Sequence, residues 1–525
     1  MISAKKILPQ STEELTRQLN FYRLRAKDLE EQNNLLRAQL FGRKTQKLDL
    51  KNDDGQLSLF DESELVQAET EEETPEPEEI IVAAHKRKKR GRKPLPENLP
   101  RIEIIHDLPD DEKICDCGCE LSKIGEEVSE KLDIIPAKIQ VERHIRIKYA
   151  CKNCEGVESK KGAVTTAPMP PQLIPRGIVT PGLLSHILIS KFEDALPYYR
   201  QEKMFKRIGV ELSRQTMASW AIIAARKLTP LKEIWIENLR AGPLIGIDET
   251  LVQVMGEPGR KNTAKSYMWV FRGGVPEHPV LLFHYDPSRS AEVVRPILGD
   301  YKGYVQTDGW GSYKAVLGKK QGIILVNCWA HARSYFVDVV KARRPKKGGA
   351  KTGSAEVAIS HIRKLYAVEK FAEKNRLDFD EIKTLRQERS KPVLDKFEVW
   401  LKKRQAQTPP RGLLGKAINY TLNHWQSLLV FLEDGRIRLD NNLVENAIRP
   451  FVVGRKNWLF SGSPAGADAS SFYYSLIETA KANGLKPYPY LRFVLEKIPT
   501  AKTHDDFRTL LPQNINPKNL EPFKA

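Results

Sequence analysis

The chain has 525 residues, 85 Lys and Arg against 67 Asp and Glu, and a formal net charge of +18. That length exceeds one compact core, so several domains are expected, and the basic balance points to a polyanionic partner, most simply nucleic acid. The first residues carry no apolar signal region, and no run of 18 apolar residues occurs, so neither secretion nor a membrane span is expected.

Residues 12 to 40 carry a heptad pattern. Leu15, Tyr22, Leu29 and Leu36 form one series; Leu19, Ala26, Asn33 and Leu40 form the second. This predicts a coiled coil within a 1–48 domain and self-association to at least a dimer, with Asn33 setting register. The alternative is an amphipathic helix packing on its own domain.

Residues 49–100 read as a linker, acidic and proline-punctuated at first, then basic. Seven of the eight residues from 86 to 93 are Lys or Arg. Arg90, Arg92 and Lys93 are candidate DNA contacts, as an extended arm along phosphates or in a narrow minor groove.

Five of the six cysteines cluster at 115, 117, 119, 151 and 154. In a chain with no secretory signal, such clustering favours metal over disulfides, and four thiolates suit one structural Zn²⁺. The expected ligands are Cys115, Cys117, Cys151 and Cys154, with Cys119 as the alternate, in a zinc-binding β domain over 101–167. The alternating stretch between the two half-sites predicts a hairpin joining them.

Residues 168–238 read as a helical DNA-binding domain. A helix near 197–207, a turn at 208–210 and a second helix capped by Ser213 give a helix-turn-helix outline. Arg214 and Gln215 then stand where side chains reach base edges, with Ser219 behind them.

From Pro243 three strand candidates follow in succession, then alternating helix and strand. That order predicts an RNase H-like α/β catalytic core over 239–486, with a helical insertion at about 346–435 and a C-terminal extension over 487–525. The fold class is multidomain α+β. Asp248 in LIGIDET and Asp308 in YVQTDGW each read as a carboxylate at a strand end, and Glu445 in DNNLVENAIRP reads as helical. Two such aspartates and a glutamate suit two Mg²⁺ (or Mn²⁺) ions, hard cations that take oxygen ligands. Two ions can stabilise the attacking and leaving oxygens of a phosphoryl displacement. Arg449 follows Glu445 by one helical turn, and Arg455 and Lys456 are candidate grips on DNA. His331 opens the helix after a core strand. Cys328 reads as buried core, and Trp310 and Trp458 as packing or base-stacking residues.

The chain resembles the transposases of the insertion-sequence 66 family, which are Asp-Asp-Glu transposases. The resemblance is carried by LLRAQLFGRKTQKL, RGRKPLPENLPR, GEEVSEKLDIIPAKIQVERHIRIKYAC, QTDGW, CWAHARSYF and DNNLVENAIRPFVVGRKNWLFSGSPAGA. It implies an enzyme that cleaves double-stranded DNA at transposon ends and transfers the strand into target DNA. It also implies the company of two small accessory proteins of the same element. The matching motifs assign the catalytic role to Asp248, Asp308 and Glu445. A bacterial cytoplasmic, nucleoid-associated location is the expectation. A non-catalytic DNA-binding relative would have lost one acid, and all three are present. A nuclease or resolvase on the same fold would not need the coiled coil, zinc module and insertion.

Overall fold

The computed structural model describes residues 12–41, 139–150, 164–318, 321–342 and 353–520. The five clustered cysteines, the linker, and Arg90, Arg92 and Lys93 lie outside the described residues. The chain divides into two compact units, 71–170 and the remainder.

In the smaller unit, strand β1 (Lys148–Ala150) pairs antiparallel with β2 (Val164–Thr166). Of the stretch expected to form a hairpin between the two half-sites, residues 127–138 lie outside the described residues. Residues 139–147 form no strand, and Val141 and Ile145 among them are exposed.

The larger unit opens with α1 (Thr12–Phe41), as the heptads predict. It packs on its own unit, against helices of the insertion region described below. Asp28, Glu31, Asn34 and Leu35 are its half-buried face, while Leu19, Tyr22, Leu29 and Leu36 are each more than half exposed. The heptad series and the packed face are therefore different faces of one helix.

Four helices follow: α2 (Pro181–Phe192), α3 (Tyr198–Arg207), α4 (Arg214–Lys227) and α5 (Pro230–Arg240). Ser213 caps α4 by accepting from the Thr216 amide at 3.2 Å. The turn between α3 and α4 passes Gly209 at φ +81°, a left-handed position that glycine adopts without steric cost.

A five-stranded mixed sheet is the centre of this unit. Its strands are β3 (Leu244–Gln253), β4 (Lys265–Gly273), β5 (Val280–Asp286), β6 (Gly303–Thr307) and β7 (Ile323–Asn327), in the order β5-β4-β3-β6-β7. The first three form an antiparallel meander; β6 and β7 run parallel to β3. Parallel pairing requires crossovers, supplied by α6 (Val294–Leu298) and α7 (Gly311–Leu317). Strands rich in Ile, Val, Leu and Phe are covered on both faces, as such sheets require. Trp269, Phe271 and Phe283 are fully buried.

After β7 comes α8 (Trp329–Lys341). The insertion then supplies α9 (Ser354–Asn375), α10 (Phe379–Leu385), α11 (Lys391–Gln405), α12 (Leu413–Asn423) and α13 (Trp425–Leu429). These share a second core with β7 and α8, in which Trp329, Phe336, Phe397 and Trp425 are buried. It is against α8 and α12 that α1 lies. Finally α14 (Asn442–Trp458), α15 (Pro464–Ala482) and α16 (Pro487–Lys497) return to the sheet core.

Candidate metal centre and its surroundings

Asp248 lies inside β3, not at its end, which corrects the expectation from sequence. The reason is that β3 continues its antiparallel pairing with β4 through Gln253, while its parallel pairing with β6 stops at Gly246↔Gln306. Continued two residues, that register sets Asp248 opposite Asp308, where β3 and β6 part. Asp308 does follow a strand end directly, that of β6. Its carboxylate accepts from the Trp310 amide at 2.8 Å, and the Asp248 carboxylate from the Glu249 amide at 2.9 Å.

Glu445 arrives in the first turn of α14. Gly246 makes this possible: a Cβ there would collide with the Val444 side chain and touch Asn441. Asn441, buried ahead of the helix, donates its side-chain amide to the Ile247 carbonyl at 3.2 Å and its backbone amide to Cys328 Sγ at 3.2 Å. One residue thus ties α14 to both β3 and the start of α8. Nothing in the sequence pattern singled out Asn441; a buried Asn bridging two elements shows only in three dimensions. Cys328 is buried core, as expected.

The charge balance is acid-rich. Burial first, then the charges of Glu249, Glu445 and Asp308, hold the Asp248 carboxyl well above its usual range. Burial and the charge of Asp440 push Glu445 up to about 7, with Arg449 opposing and Asp308 adding. The Oε1 of Glu445 is buried without a hydrogen-bond partner, as is Nδ1 of His331, and the two stand 3.7 Å apart. Burial lowers the His331 pKa, against the charges of Asp308 and Asp440. Cys328, His331 and Glu445 place ligand atoms within 4.8 Å of one another. Two carboxylates, Asp248 and Glu445, raised by burial and by neighbouring acids, one with an orphaned oxygen, form with Asp308 a donor set short of positive charge, which hard divalent ions would supply.

A second group borders the first. Glu249 accepts from Arg289 Nε at 2.8 Å and from the Tyr313 hydroxyl at 2.7 Å. The Arg289 guanidinium lies 4.4 Å above the Trp310 ring, and Trp310 meets Tyr313 edge-on. Burial lowers the Arg289 pKa, but the bond and charge of Glu249 and the charge of Asp308 outweigh it and raise the group above its ordinary value. Sequence reading passed over Glu249 and Arg289; the only signal was the acidic pair Asp248-Glu249 itself.

Other sequence-predicted residues are distributed as follows. Arg214, Gln215 and Ser219 are exposed in the first turns of α4. Arg449 is half-buried one turn beyond Glu445. Arg455 is turned back onto β3, donating to Thr250 Oγ1 at 3.1 Å and to the Leu251 carbonyl. Through that one terminal nitrogen it braces α14 against β3. Lys456 is exposed. Trp458 packs edge-on against Phe451.

A mixed sheet flanked by helices, with an acid-rich site where its parallel strands part, defines a multidomain α+β protein. Residues 176–469 match the model described as Transposase IS66 family. Residues 112–155 match the zinc-finger binding domain of transposase IS66, 28–104 the Transposase C of IS166 homeodomain, and 475–513 the IS66 C-terminal element. The chain is 35% identical over 435 residues to the uncharacterised protein y4jD of Sinorhizobium fredii (strain NBRC 101917 / NGR234), covering 80% of this chain and 81% of that one. It is 32% identical over 491 residues to y4qI of the same organism, covering 91% and 86%. A third relative there, y4hP, is 31% identical over 482 residues, covering 88% and 84%. The chain belongs to the IS66 family of transposases. Membership brings DNA processing, zinc binding over 112–155 and use of divalent metal. Among the described residues no helix is long and apolar enough to cross a membrane.

Proposed function

We propose that this protein is an Asp-Asp-Glu transposase that cleaves DNA at transposon ends and transfers the freed strand into target DNA. The observation that carries this reading is the acid-rich centre, above all the buried Glu445 oxygen with no partner. The β5-β4-β3-β6-β7 order, with its meander and two parallel additions, supports an RNase H-like core over 239–486.

Asp248, Asp308 and Glu445 would hold two Mg²⁺ (or Mn²⁺) ions. When bound, such ions supply Lewis-acid stabilisation to the attacking and leaving oxygens of an in-line displacement. The chain's own contribution is position and charge. Asp248 and Asp308 are fixed by the β3–β6 register, Glu445 by Asn441 and Gly246. Arg449 tempers the charge of Glu445, and His331 closes its buried side. In the first step water attacks phosphorus and the 3′-oxygen leaves. In the second that 3′-hydroxyl attacks a target phosphorus and the target strand's own 3′-oxygen leaves, so one P–O bond forms as another breaks, with no net redox change.

The remaining parts serve assembly and grip. Residues 101–167 form the zinc module, with Cys115, Cys117, Cys151 and Cys154 on one Zn²⁺ and Cys119 as the alternate. Residues 168–238 bind DNA through Arg214 and Gln215, aided by Arg90, Arg92, Lys93, Arg449 and Lys456. The 1–48 segment pairs two copies through its exposed heptad face, and the element's two small proteins act with the transposase in the bacterial cytoplasm.

The test is Mg²⁺-dependent cleavage of a duplex bearing the terminal repeat that borders the gene. Asp248→Ala, Asp308→Ala and Glu445→Ala should each abolish cleavage and strand transfer while leaving binding to that duplex within about twofold of wild type. Near-normal cleavage by the Glu445→Ala protein would exclude the assignment.

A further inference from the structure

We infer that Arg289 is a docking point for a DNA backbone phosphate next to the reacting one, held in place by Glu249, Tyr313 and Trp310. This rests on the transposase reading and extends it to a residue outside the acidic triad.

Arg289 donates only through Nε, to Glu249, and its side chain is 46% exposed. Among the described residues its two terminal nitrogens have no acceptor. Arg386 shows what a structural arginine looks like in the same chain. It grips Glu369 through Nε at 2.8 Å and Nη2 at 2.6 Å, gives Nη1 to the Phe431 and Asp434 carbonyls, and is 2% exposed. All three nitrogens of that side chain are engaged inward. At Arg289 the inward bond uses one corner, and the outer edge of the guanidinium is left to solvent.

That outer edge is also immobilised. Glu249 is buried, and its second oxygen is taken by the Tyr313 hydroxyl, so the carboxylate cannot swing to accept a second bond from the arginine. Trp310 lies under the guanidinium plane and fixes its tilt. A planar fork with two free N–H groups matches the oxygens of a phosphate, and ordering it beforehand lowers the entropy cost of binding.

Location completes the case. Trp310 is two residues beyond Asp308 and donates its amide to that carboxylate, and Glu249 is the neighbour of Asp248. The two residues in direct contact with Arg289, Glu249 and Trp310, are therefore close chain neighbours of the two aspartates. Successive side chains of β3 alternate faces, so Asp248 and Glu249 point to opposite sides of the strand. The arginine consequently flanks the acidic centre rather than entering it. A phosphate there is held one step along the strand, without competing with the ions for carboxylate oxygens. Trp310, whose face is already covered, is assigned to this clamp instead of to base stacking.

The experiment is a binding scan in buffer without added Mg²⁺ or Mn²⁺, which leaves the zinc module loaded, using full-length protein and a duplex of the terminal repeat bordering the gene. Each phosphate near the cleavage point is replaced in turn by an uncharged methylphosphonate. For wild type, one position flanking the scissile phosphate should weaken binding by roughly ten- to a hundredfold, the range for a charge-assisted contact. In Arg289→Ala the unmodified duplex should bind more weakly by the same factor, and methylphosphonate at that position should then have no further effect. Arg289→Lys keeps the charge without the fork, and should show a smaller loss at the same position. Should Arg289→Ala fail to fold, the Lys variant and Glu249→Gln, which loosens the inner bond, carry the test at that position. A scan unchanged in the folded variants would overturn the inference. Because binding is read without added Mg²⁺ or Mn²⁺, the outcome separates from catalysis. Carboxylate variants that still cleave would refute the transposase chemistry, whereas an unchanged scan beside inactive carboxylate variants would refute Arg289 alone.

Discussion

The Tyr420 hydroxyl donates to the backbone carbonyl of Asp308 at 2.6 Å. Tyr420 belongs to α12 of the helical insertion and Asp308 directly follows β6, so the insertion holds one carboxylate-bearing residue of the candidate centre from outside the sheet. Gly309 at φ +87° lets the chain turn beneath that hydroxyl, where a Cβ would be in contact with it. Tyr420→Phe should cost about 1 kcal/mol of stability, the usual net worth of one hydrogen bond. Its effect on cleavage should be larger in proportion, about tenfold in turnover, because a displaced Asp308 misplaces its ligand oxygens. Single-turnover cleavage beside a denaturant titration measures both. Equal, small losses in the two would show that the contact is merely structural.

In metal-free protein the acidic centre should make stability fall as pH rises. Glu445 ordinarily titrates near 4.5 and is pushed up to about 7 by burial and neighbouring acids. A group raised in the folded state contributes stability that is complete below its unfolded pKa and lost as pH climbs through the folded one. The window is therefore about pH 4.5 to 7. Melting temperature in EDTA should decline across it, Glu445→Gln should flatten the decline, and Mg²⁺ at pH 8 should restore the lost stability to wild type but not to Asp248→Asn. A flat profile in EDTA would contradict the charge excess described at the centre.

Lys191 offers a test away from the acids. Its ammonium lies 4.4 Å from the centre of the Tyr198 ring and 5.4 Å from that of Trp458, with no carboxylate partner among the described residues. Burial lowers its pKa from 10.5 to about 8. The unfolded chain then holds this proton more tightly, so stability rises with pH between about 8 and 10.5. Lys191→Met should stabilise the protein at pH 7 by about 1–2 kcal/mol, the burial penalty less what the rings return. The advantage should disappear by about pH 10.5. Urea midpoints at both pH values decide it, and destabilisation at pH 7 would mean that the aromatic cage outweighs burial.

The packing of α1 predicts a separation of roles. One face rests on α8 and α12, with Glu31 accepting from the Leu413 amide at 3.4 Å, and the heptad face is bare. Deleting residues 1–48 should leave binding to a single terminal repeat within about twofold while abolishing the complex that joins two ends. Replacing Leu29 and Leu36 with Lys should reproduce the assembly defect and spare the packed face. Sizing by light scattering with and without end DNA reads the difference. A normal paired-end complex from either protein would move the pairing function to another surface.

Much of this molecule was written in local pattern. The 3.5-residue repeat set α1, the Ser213 cap set the start of α4, and runs such as LLFHY and YVQT set their strands, because helix period, capping and strand alternation are decided by neighbours in sequence. Asp248, Asp308 and Glu445 were legible as candidates since each sits in a motif of its own. Their convergence was not. It depends on where β3 stops pairing with β6, on a glycine at 246 that admits α14, and on a buried Asn441 that ties three elements together. None of these has a periodic signature. The same holds for Arg289, whose partner Glu249 is 40 residues away in sequence and 2.8 Å away in space, and for α1, where sequence showed one useful face and the fold uses another. Contacts between segments remote in the chain are fixed by the packing of the whole, and there tertiary structure alone decided which side chains share a site.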